Sequence, residues 1–252
     1  MHTAIATSEH LLGEDAFNLG ETESRHLASV LRVAPGDALT LLDGRGRRRE
    51  AVVESVAKRG VTCRPRGGVE TLPRPAVAIT LFQCVAKQNR MDWLVEKAAE
   101  LGVARLVPIV SARAVARPAS GEKSERWQRI AESALRQSGS GWIMQIDAPL
   151  DWAGALRAMQ ADDGRLLVGA LAGETQDAGR LLLGWREAGF CGPVGWLIGP
   201  EGDFAPEELD SAIREASANP VSFGAQVLRV ETAALFAVAA TSAILGGCVS
   251  RS

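Results

Sequence analysis

The sequence contains no hydrophobic run long enough to cross a lipid bilayer. A transmembrane helix needs roughly 20 consecutive apolar residues, and no stretch of the 252 residues reaches that length. The opening residues, MHTAIATSEH, also lack the charged-then-apolar pattern of a secretory signal peptide. Hydrophobic residues make up 46% of the chain, which is enough for a substantial core. The sequence therefore predicts a globular, cytoplasmic protein with no membrane partner.

Cysteine and histidine are scarce, and their positions do not suggest a reactive or metal-binding site. The cysteines Cys63, Cys84, Cys191 and Cys248 are far apart and form no CxxC pair, so neither a disulfide framework nor a zinc ribbon is expected. All three histidines lie within the first 26 residues. Most of the chain therefore has no histidine for acid–base catalysis, and we expect inert thiols and no metal site.

Three common motifs of nucleotide binding and nucleophilic catalysis are also absent. The chain has no GxxxxGK[ST] phosphate-binding loop, and no GxGxxG follows the first predicted strand of its second half. It also lacks the GxSxG turn of α/β hydrolases. These absences argue against the corresponding nucleotide-binding folds and against a serine hydrolase.

Charge is nearly balanced over the whole chain but not along it. The formal net charge is −2, whereas residues 45–66 contain eight basic residues against two acidic ones, a local charge of +6. The basic residues are Arg45, Arg47, Arg48, Arg49, Lys58, Arg59, Arg64 and Arg66, and the acidic ones are Glu50 and Glu54. Such a cluster is typical of a phosphate-binding surface. A solvated surface balanced by acids elsewhere is the alternative.

The sequence pattern changes near residue 73, which predicts two domains, 1–72 and 73–252. The first half alternates short apolar segments with turns such as Asp43-Gly44, and residues 22–33 have helical spacing, so a small β-rich module is expected. The second half alternates strands with helices, which favours an α/β domain with a largely parallel sheet. The predicted strands are 76–86, 105–110, 165–170 and 194–200, and the predicted helices are 90–102, 123–139, 206–217 and 231–247.

The segment LIGPEGDF, residues 197–204, ends a predicted strand and precedes a helix opened by Pro206. Ligands of open α/β sheets bind at the carboxyl ends of strands. Gly199 and Gly202 would leave room for a ligand beside the backbone. An ordinary strand-to-helix turn punctuated by Gly and Pro is the alternative.

The segment FGAQVLRVETAALFAVAA, residues 223–240, places Arg229 and Glu231 before an almost uncharged, alanine-rich helix. Such a helix must be buried within the domain or at a subunit interface. Its polar opening would then face a ligand. Alternatively, Glu231 or Thr232 could cap the helix.

Together with RHLASVLRVAPGDALTLLDGRG, KQNRMDWLVEKAAELGVARLVPIVSARAV and ERWQRIAESALRQSG, these two segments resemble the SPOUT superfamily of knotted methyltransferases. Within it, the chain is similar over nearly its whole length to the family that methylates N3 of a uridine in 16S ribosomal RNA. The resemblance implies an α/β fold with a C-terminal trefoil-knotted methyltransferase domain after an N-terminal PUA-like, RNA-binding β-barrel. It also implies S-adenosyl-L-methionine as cofactor, a homodimer formed through the knot region, and 16S ribosomal RNA or the small ribosomal subunit as partner.

The resemblance implies the residues that bind the cofactor, whereas the chemistry of the reaction and the distribution of charge suggest the catalytic and RNA-binding residues. The cofactor would be bound by Leu197, Gly199, Pro200, Glu201, Gly202, Gly224, Val227, Leu228 and Thr232. In catalysis Arg229 would supply positive charge, and Glu231 or Glu201 would accept a proton. RNA would be bound by Arg25, Arg32, Arg45, Arg47, Arg48, Arg49, Arg113 and Arg117.

The chain departs from the family pattern at a few positions. Gln226 and Ser140 stand where the family usually has Arg, and Asp203 stands where it commonly has Gly. Two alternatives therefore remain open. One is a related knotted enzyme that methylates another RNA position, such as a ribose 2′-hydroxyl of transfer RNA. The other is a non-catalytic RNA-binding or assembly protein.

Overall fold

The computed structural model describes residues 2–58, 60–114, 122–171 and 173–247. The chain forms two compact units, of which the first comprises Met1–Arg74 together with Glu132–Ile143. The second comprises Pro75–Ala131 and Met144–Ser252. The sequence pattern did not predict that residues 132–143 belong with the N-terminal unit.

The first unit is built on a five-stranded sheet with strand order β1-β3-β4-β5-β2. Its strands are β1 (His2–Ile5), β2 (Phe17–Asn18), β3 (Ala38–Leu42), β4 (Arg47–Ala57) and β5 (Gly60–Thr71). Strands β1 and β3 are parallel and the other pairs are antiparallel. Its short helices are α1 (Ser8–Leu12) and α2 (Glu21–Arg25), and α2 continues into a π-helical turn, His26–Leu31.

The hairpin predicted at Asp43-Gly44 is confirmed, because β3 and β4 pair antiparallel on either side of it. Gly44 adopts a positive φ of 67°, which glycine tolerates without steric cost. Asp43 Oδ1 accepts hydrogen bonds from the backbone N–H groups of Arg45 and Arg47, at 2.8 and 3.0 Å. The turn is therefore stabilised by its own aspartate.

The second unit contains an eight-stranded sheet with order β11-β13-β10-β12-β6-β7-β8, and β9 also pairs with β7. The strands are β6 (Ile79–Cys84), β7 (Arg105–Val110), β8 (Gln145–Ile146), β9 (Leu150–Asp151), β10 (Arg165–Gly169), β11 (Gln176–Asp177), β12 (Val194–Ile198) and β13 (Asn219–Ser222). Every pairing is parallel. The predicted parallel α/β architecture is confirmed.

The helices that follow β6 along the chain include all four that the sequence predicts. They are α3 (Gln88–Glu100), α4 (Glu122–Ser138), α5 (Trp152–Gln160), α6 (Ala178–Glu187), α7 (Pro206–Glu215) and α8 (Val230–Leu245). No helix in the described ranges is long and apolar enough to span a membrane.

The central strands explain the continuous apolar runs of the sequence. All residues of β6 and β12 are buried, because separate apolar clusters cover the two faces of the sheet. Side chains alternate between these clusters along a strand, so Trp196 and Ile198 join one and Leu197 joins the other. The core thus holds the carboxyl end of β12 rigidly where the segment 199–204 begins.

Candidate functional site

The second unit has a cavity of about 210 Å³ where the segments after β10, β12 and β13 meet. The lining consists of residues 169–171, 198–200 and 222–228, together with Thr175, Asp203, Val230 and Ala233. The two motifs singled out in the sequence thus meet at one cavity. Parallel strands direct their carboxyl ends to the same edge of a sheet, which is where α/β proteins bind ligands.

Five of the nine residues expected to bind the cofactor line this cavity: Gly199, Pro200, Gly224, Val227 and Leu228. The other four, Leu197, Glu201, Gly202 and Thr232, are not among the lining residues. Leu197 requires a correction. Its side chain is fully buried on the opposite face of the sheet, because it alternates with Ile198, which does line the cavity.

The glycines of this region differ in what a side chain at their position would meet. A Cβ atom at Gly199 would lie 2.9 Å from the ring of Phe204, so this glycine permits the Phe204 packing. A Cβ atom at Gly202 would make only ordinary contact with Arg113, at 3.7 Å. Gly224, by contrast, has a φ of 102° at the cavity wall, a conformation that L-residues rarely adopt.

Asp203 is one of the departures from the resembled family noted above, and its backbone conformation suits an aspartate. Its φ is 59°, in the left-handed region that favours glycine and, after it, Asn and Asp. Its Oδ1 atom accepts a hydrogen bond of 2.8 Å from the backbone N–H of Phe204. Aspartate therefore retains the turn that glycine would make.

A charged cluster joins the two motif segments beside the cavity. Arg90 Nη1 lies 3.3 Å from Glu201 Oε1, and Arg90 Nε lies 3.9 Å from Glu231 Oε1. Glu231 Oε2 is buried and has no hydrogen-bond partner among the described residues. No motif signal identified Arg90, because its place beside both carboxylates depends on how α3 packs against α8.

The remaining polar residues at the start of α8 are placed as follows. Arg229 is exposed and is the N-cap residue of α8, and no capping side chain is seen there within the described residues. Thr232 is also exposed.

Two arginines of the second unit were expected to bind RNA. Arg113 Nη1 donates a hydrogen bond of 3.1 Å to the carbonyl of Gly202, and Arg117 lies outside the described residues.

The basic segment of the first unit needs a second correction, at Arg49. This side chain is 4% exposed, and its guanidinium donates to the carbonyls of Leu11, Gly13 and Gly67 and to Glu14. Because its donors are already used inside the unit, Arg49 is a structural residue and is not available to RNA phosphates.

The outward face of β4 and β5 is also less basic than the sequence suggests. Arg48 pairs with Glu70 and Arg64 pairs with Glu54, while Arg66 lies opposite Glu50 in the strand register. Three arginines are thus matched by three glutamates, and Arg59 lies outside the described residues. Among the described residues of the +6 segment, the basic side chains do not form one continuous surface.

The other arginines expected to bind RNA vary in their exposure and pairing. Arg45 in the hairpin turn is exposed, Arg47 is half-buried, and Arg32 is exposed with a left-handed φ of 54°. Arg25 is exposed and pairs with Glu21 at 2.5 Å, four residues earlier on α2. Arg32 and Arg45 are the two of these cations that are exposed and for which no ion pair is seen within the described residues.

The buried thiols are not suited to chemistry. Burial, with a smaller contribution from the charge of Glu54, raises the pKa of Cys63 to about 12. Burial also raises the pKa of Cys84 to about 12, although the neighbouring Ser111 side chain acts in the opposite direction. Across the described ranges no group of three or more His, Cys, Asp or Glu side chains could hold a metal ion.

Comparison with known proteins agrees with this arrangement. Residues 73–242 match the model of an RNA methyltransferase domain, and residues 19–66 match that of an RNA methyltransferase PUA domain. A protein named ribosomal RNA small subunit methyltransferase E, from Mycobacterium bovis, is 31% identical over 226 residues, covering 88% of this chain and 84% of that one. Its namesake from Synechocystis is 27% identical over 233 residues, covering 92% and 74%.

A solved structure shares both units. The crystal structure of a ribosomal RNA small subunit methyltransferase E from Neisseria gonorrhoeae, bound to S-adenosyl methionine, is 28% identical and aligns with a TM-score of 0.84. The alignment covers 96% of this chain and 97% of that one. Given this structural agreement, the domain match over 73–242 and the 31% identity across most of both sequences, the chain belongs to the RNA methyltransferase family that includes the ribosomal RNA small subunit methyltransferase E proteins.

Proposed function

We propose that this protein uses S-adenosylmethionine to methylate N3 of a uridine in 16S ribosomal RNA. The observation that carries the proposal is the cavity at which both motif segments meet, since residues 198–200 and 222–228 line it together. The names of the relatives support a substrate in the small ribosomal subunit. The S-adenosyl methionine bound to the Neisseria gonorrhoeae protein supports the cofactor.

The lining of the cavity fits this cofactor. Ile198, Leu228 and Ala233 offer apolar side chains for the adenine ring. The main chain of residues 224–228, which begins at the positive-φ Gly224, offers donors and acceptors for the polar groups. This mixture of apolar walls and a few polar groups is typical of small-molecule sites. When bound, the cofactor would supply the methyl group.

Methylation of uridine N3 requires removal of the N3–H proton and stabilisation of the negative charge that develops on the base. Arg229 is exposed at the start of α8 and would supply positive charge. Glu201 and Glu231 are carboxylates next to the cavity-forming segments, and either would accept the proton. Their partial burial and shared contact with Arg90 support a role at the reacting base.

The target uridine must present its Watson–Crick edge, so it must be unpaired or flipped out of a helix. We propose that the first unit binds the surrounding RNA and that the second transfers the methyl group. The match of residues 19–66 to an RNA methyltransferase PUA domain supports this division. Arg45, Arg47, Arg25 and Arg32 remain the candidate phosphate contacts of the first unit, and Arg113 that of the second.

The finer architecture belongs to the same proposal. We propose a PUA-like β-barrel in the first unit, a trefoil knot in the second, and a homodimer formed through the knot region. Large apolar side chains exposed near the cavity and on α8 support the dimer, namely Leu171, Val227 and Phe236. A cytoplasmic location, as expected from the sequence, accords with a ribosomal substrate.

Nucleoside mass spectrometry of RNA from a deletion strain, with and without the restored gene, tests the reaction. We expect 3-methyluridine to disappear from 16S RNA in the deletion strain and to return with the gene. Loss of a 2′-O-methyl nucleoside from transfer RNA would instead identify the related knotted enzyme. An unchanged nucleoside profile would contradict the enzymatic proposal and favour an assembly role.

A further inference from the structure

The local preferences of a helix do not explain why an arginine stands at position 90. It is in the first turn of α3, which contains no acidic residue. The amino end of a helix carries partial positive charge, so an arginine there is electrostatically disfavoured. Such local conflicts are expected where a residue serves a functional site. The two carboxylates beside Arg90 provide that reason.

The two carboxylates differ in their accessibility. The side chain of Glu231 is 13% exposed, and its Oε2 atom is closed to solvent. The side chain of Glu201 is 25% exposed and lies in the segment that forms part of the cavity wall. An RNA base can reach Glu201 more readily than it can reach the closed oxygen of Glu231.

The elements that carry the three side chains also differ. Arg90 and Glu231 lie on α3 and α8, two helices that pack against each other in the core of the second unit. Glu201 lies in the turn between β12 and α7. A side chain on a turn needs support from rigid elements if it is to act with defined geometry. The Arg90–Glu231 pair provides this support from two helices.

We propose that Arg90, anchored by Glu231, is a positioning residue that holds Glu201 as the proton acceptor for uridine N3–H. In this step the N3 proton moves to the Glu201 carboxylate, and the electron pair of the N–H bond stays on N3. N3 would then use this pair to bond the methyl carbon that the cofactor supplies, while the electron pair of the broken sulfur–carbon bond would remain on sulfur. The inference rests on the proposed function.

The proposal makes separate predictions for chemistry and for stability. Glu201→Gln should lower the single-turnover rate by at least about 100-fold with unchanged cofactor affinity, since Glu201 does not line the cofactor cavity. Arg90→Gln should lower the rate on the order of 100-fold through misplacement of Glu201. Arg90→Lys should recover part of this loss. The lysine ammonium keeps the positive charge but lacks the planar set of N–H donors with which the guanidinium contacts both carboxylates.

A double-substitution cycle separates positioning from simple loss of structure. Arg90→Gln leaves the buried Glu231 carboxylate unpaired and should lower the midpoint of thermal unfolding. Adding Glu231→Gln removes that buried charge and should restore the midpoint, while the methylation rate stays low. Arg126→Gln is the matched control, because it removes another arginine–carboxylate pair, with Asp92 of α3. It should leave the rate unchanged.

Each outcome decides the proposal. A wild-type rate in Arg90→Gln, or a double variant whose rate recovers together with its stability, would overturn the positioning role. If the wild-type protein forms no 3-methyluridine in 16S RNA, the proposed function fails independently. The unfolding cycle would then still test the Arg90–Glu231 pair. If the changes in unfolding midpoint caused by Arg90→Gln and Glu231→Gln simply add in the double variant, Glu231 does not anchor Arg90.

Discussion

At the residue scale, Arg49 illustrates how one buried position changes the meaning of a charged segment. The alternation of β4 directs Arg48 and Glu50 outward and Arg49 inward, where it hydrogen-bonds three carbonyls. The sequence could predict a strand here, but the neighbouring arginines suggested a common role. The partners of Arg49 come from residues 11–14 and 67, so only the folded chain reveals its function.

Arg49→Ala should therefore destabilise the protein, because three carbonyls lose their donor, the buried carbonyl of Leu11 among them, at a cost of roughly 1–3 kcal/mol. RNA affinity of the folded variant should not change. Arg45→Ala is the matched comparison. As an exposed turn residue, it should leave stability unchanged, weaken RNA binding and reduce the slope of log affinity against log salt by about 1.

Thermal unfolding and RNA titrations at two salt concentrations distinguish the two variants. Normal stability of Arg49→Ala would contradict its structural role. An unchanged affinity and salt slope in Arg45→Ala would remove this turn from the RNA-binding surface.

The buried thiols give a pH prediction. Because burial raises the pKa of Cys63 and Cys84 to about 12, both should stay protonated in the native protein at pH values where an ordinary cysteine, with a pKa of about 8.5, ionises. Their contribution to stability is complete below about 8.5 and is lost as the pH rises toward 12.

Alkylation by iodoacetamide, mapped by mass spectrometry before and after unfolding, tests this expectation. Cys63 and Cys84 should react only in the unfolded protein. Rapid labelling of either thiol in the native protein at pH 9, about half a unit above the ordinary cysteine pKa, would show that the residue is not protected.

At the element scale, the sequence pattern predicts strands correctly where both of their faces are buried. It fails where packing against other elements determines the local structure. The apolar runs of β6 and β12 are readable because both faces of the sheet are covered. The two-residue strands β8, β9 and β11 have no periodicity to detect. The helices α5 and α6 were not predicted from the sequence. The direction of the strands was enough to predict the position of the cavity. The face of the sheet on which the Leu197 side chain lies could be known only from the register of β12.

Filling the cavity tests its role in cofactor binding. Ala225 is exposed and lines the cavity, so Ala225→Trp should obstruct it without removing core contacts. We expect the affinity for S-adenosylmethionine, measured by calorimetry, to fall at least about tenfold, which corresponds to roughly 1.4 kcal/mol.

Ala188→Trp provides the control, because Ala188 is an exposed alanine of the same unit that is not among the cavity-lining residues. Its cofactor affinity should match that of the original protein. Equal affinities in both variants would show that the cofactor binds elsewhere.

At the scale of the whole molecule, the apolar side chains exposed on and near α8 predict association. Light scattering at micromolar concentration should give twice the chain mass of 26.7 kDa. Phe236 is 44% exposed on α8, so Phe236→Asp should shift the protein toward the monomer by placing a charge in the interface.

Val56→Asp is the comparison for this substitution, because Val56 is a similarly exposed apolar residue of the first unit. It should leave the measured mass at twice that of the chain. A single species of 26.7 kDa in the unsubstituted protein would contradict the dimer.

The discontinuity of the first unit has a consequence for the order of events during synthesis. Residues 132–143 complete this unit through backbone hydrogen bonds from Gly46 to Gly141, at 2.7 Å, and from Ile143 to Gly44, at 3.0 Å. The Trp142 indole also donates to the carbonyl of Pro73, at 3.0 Å. A chain emerging from the ribosome can form the sheet and core of this unit from its first 71 residues. It can add the last segment of the unit only after residue 143 has left the exit tunnel.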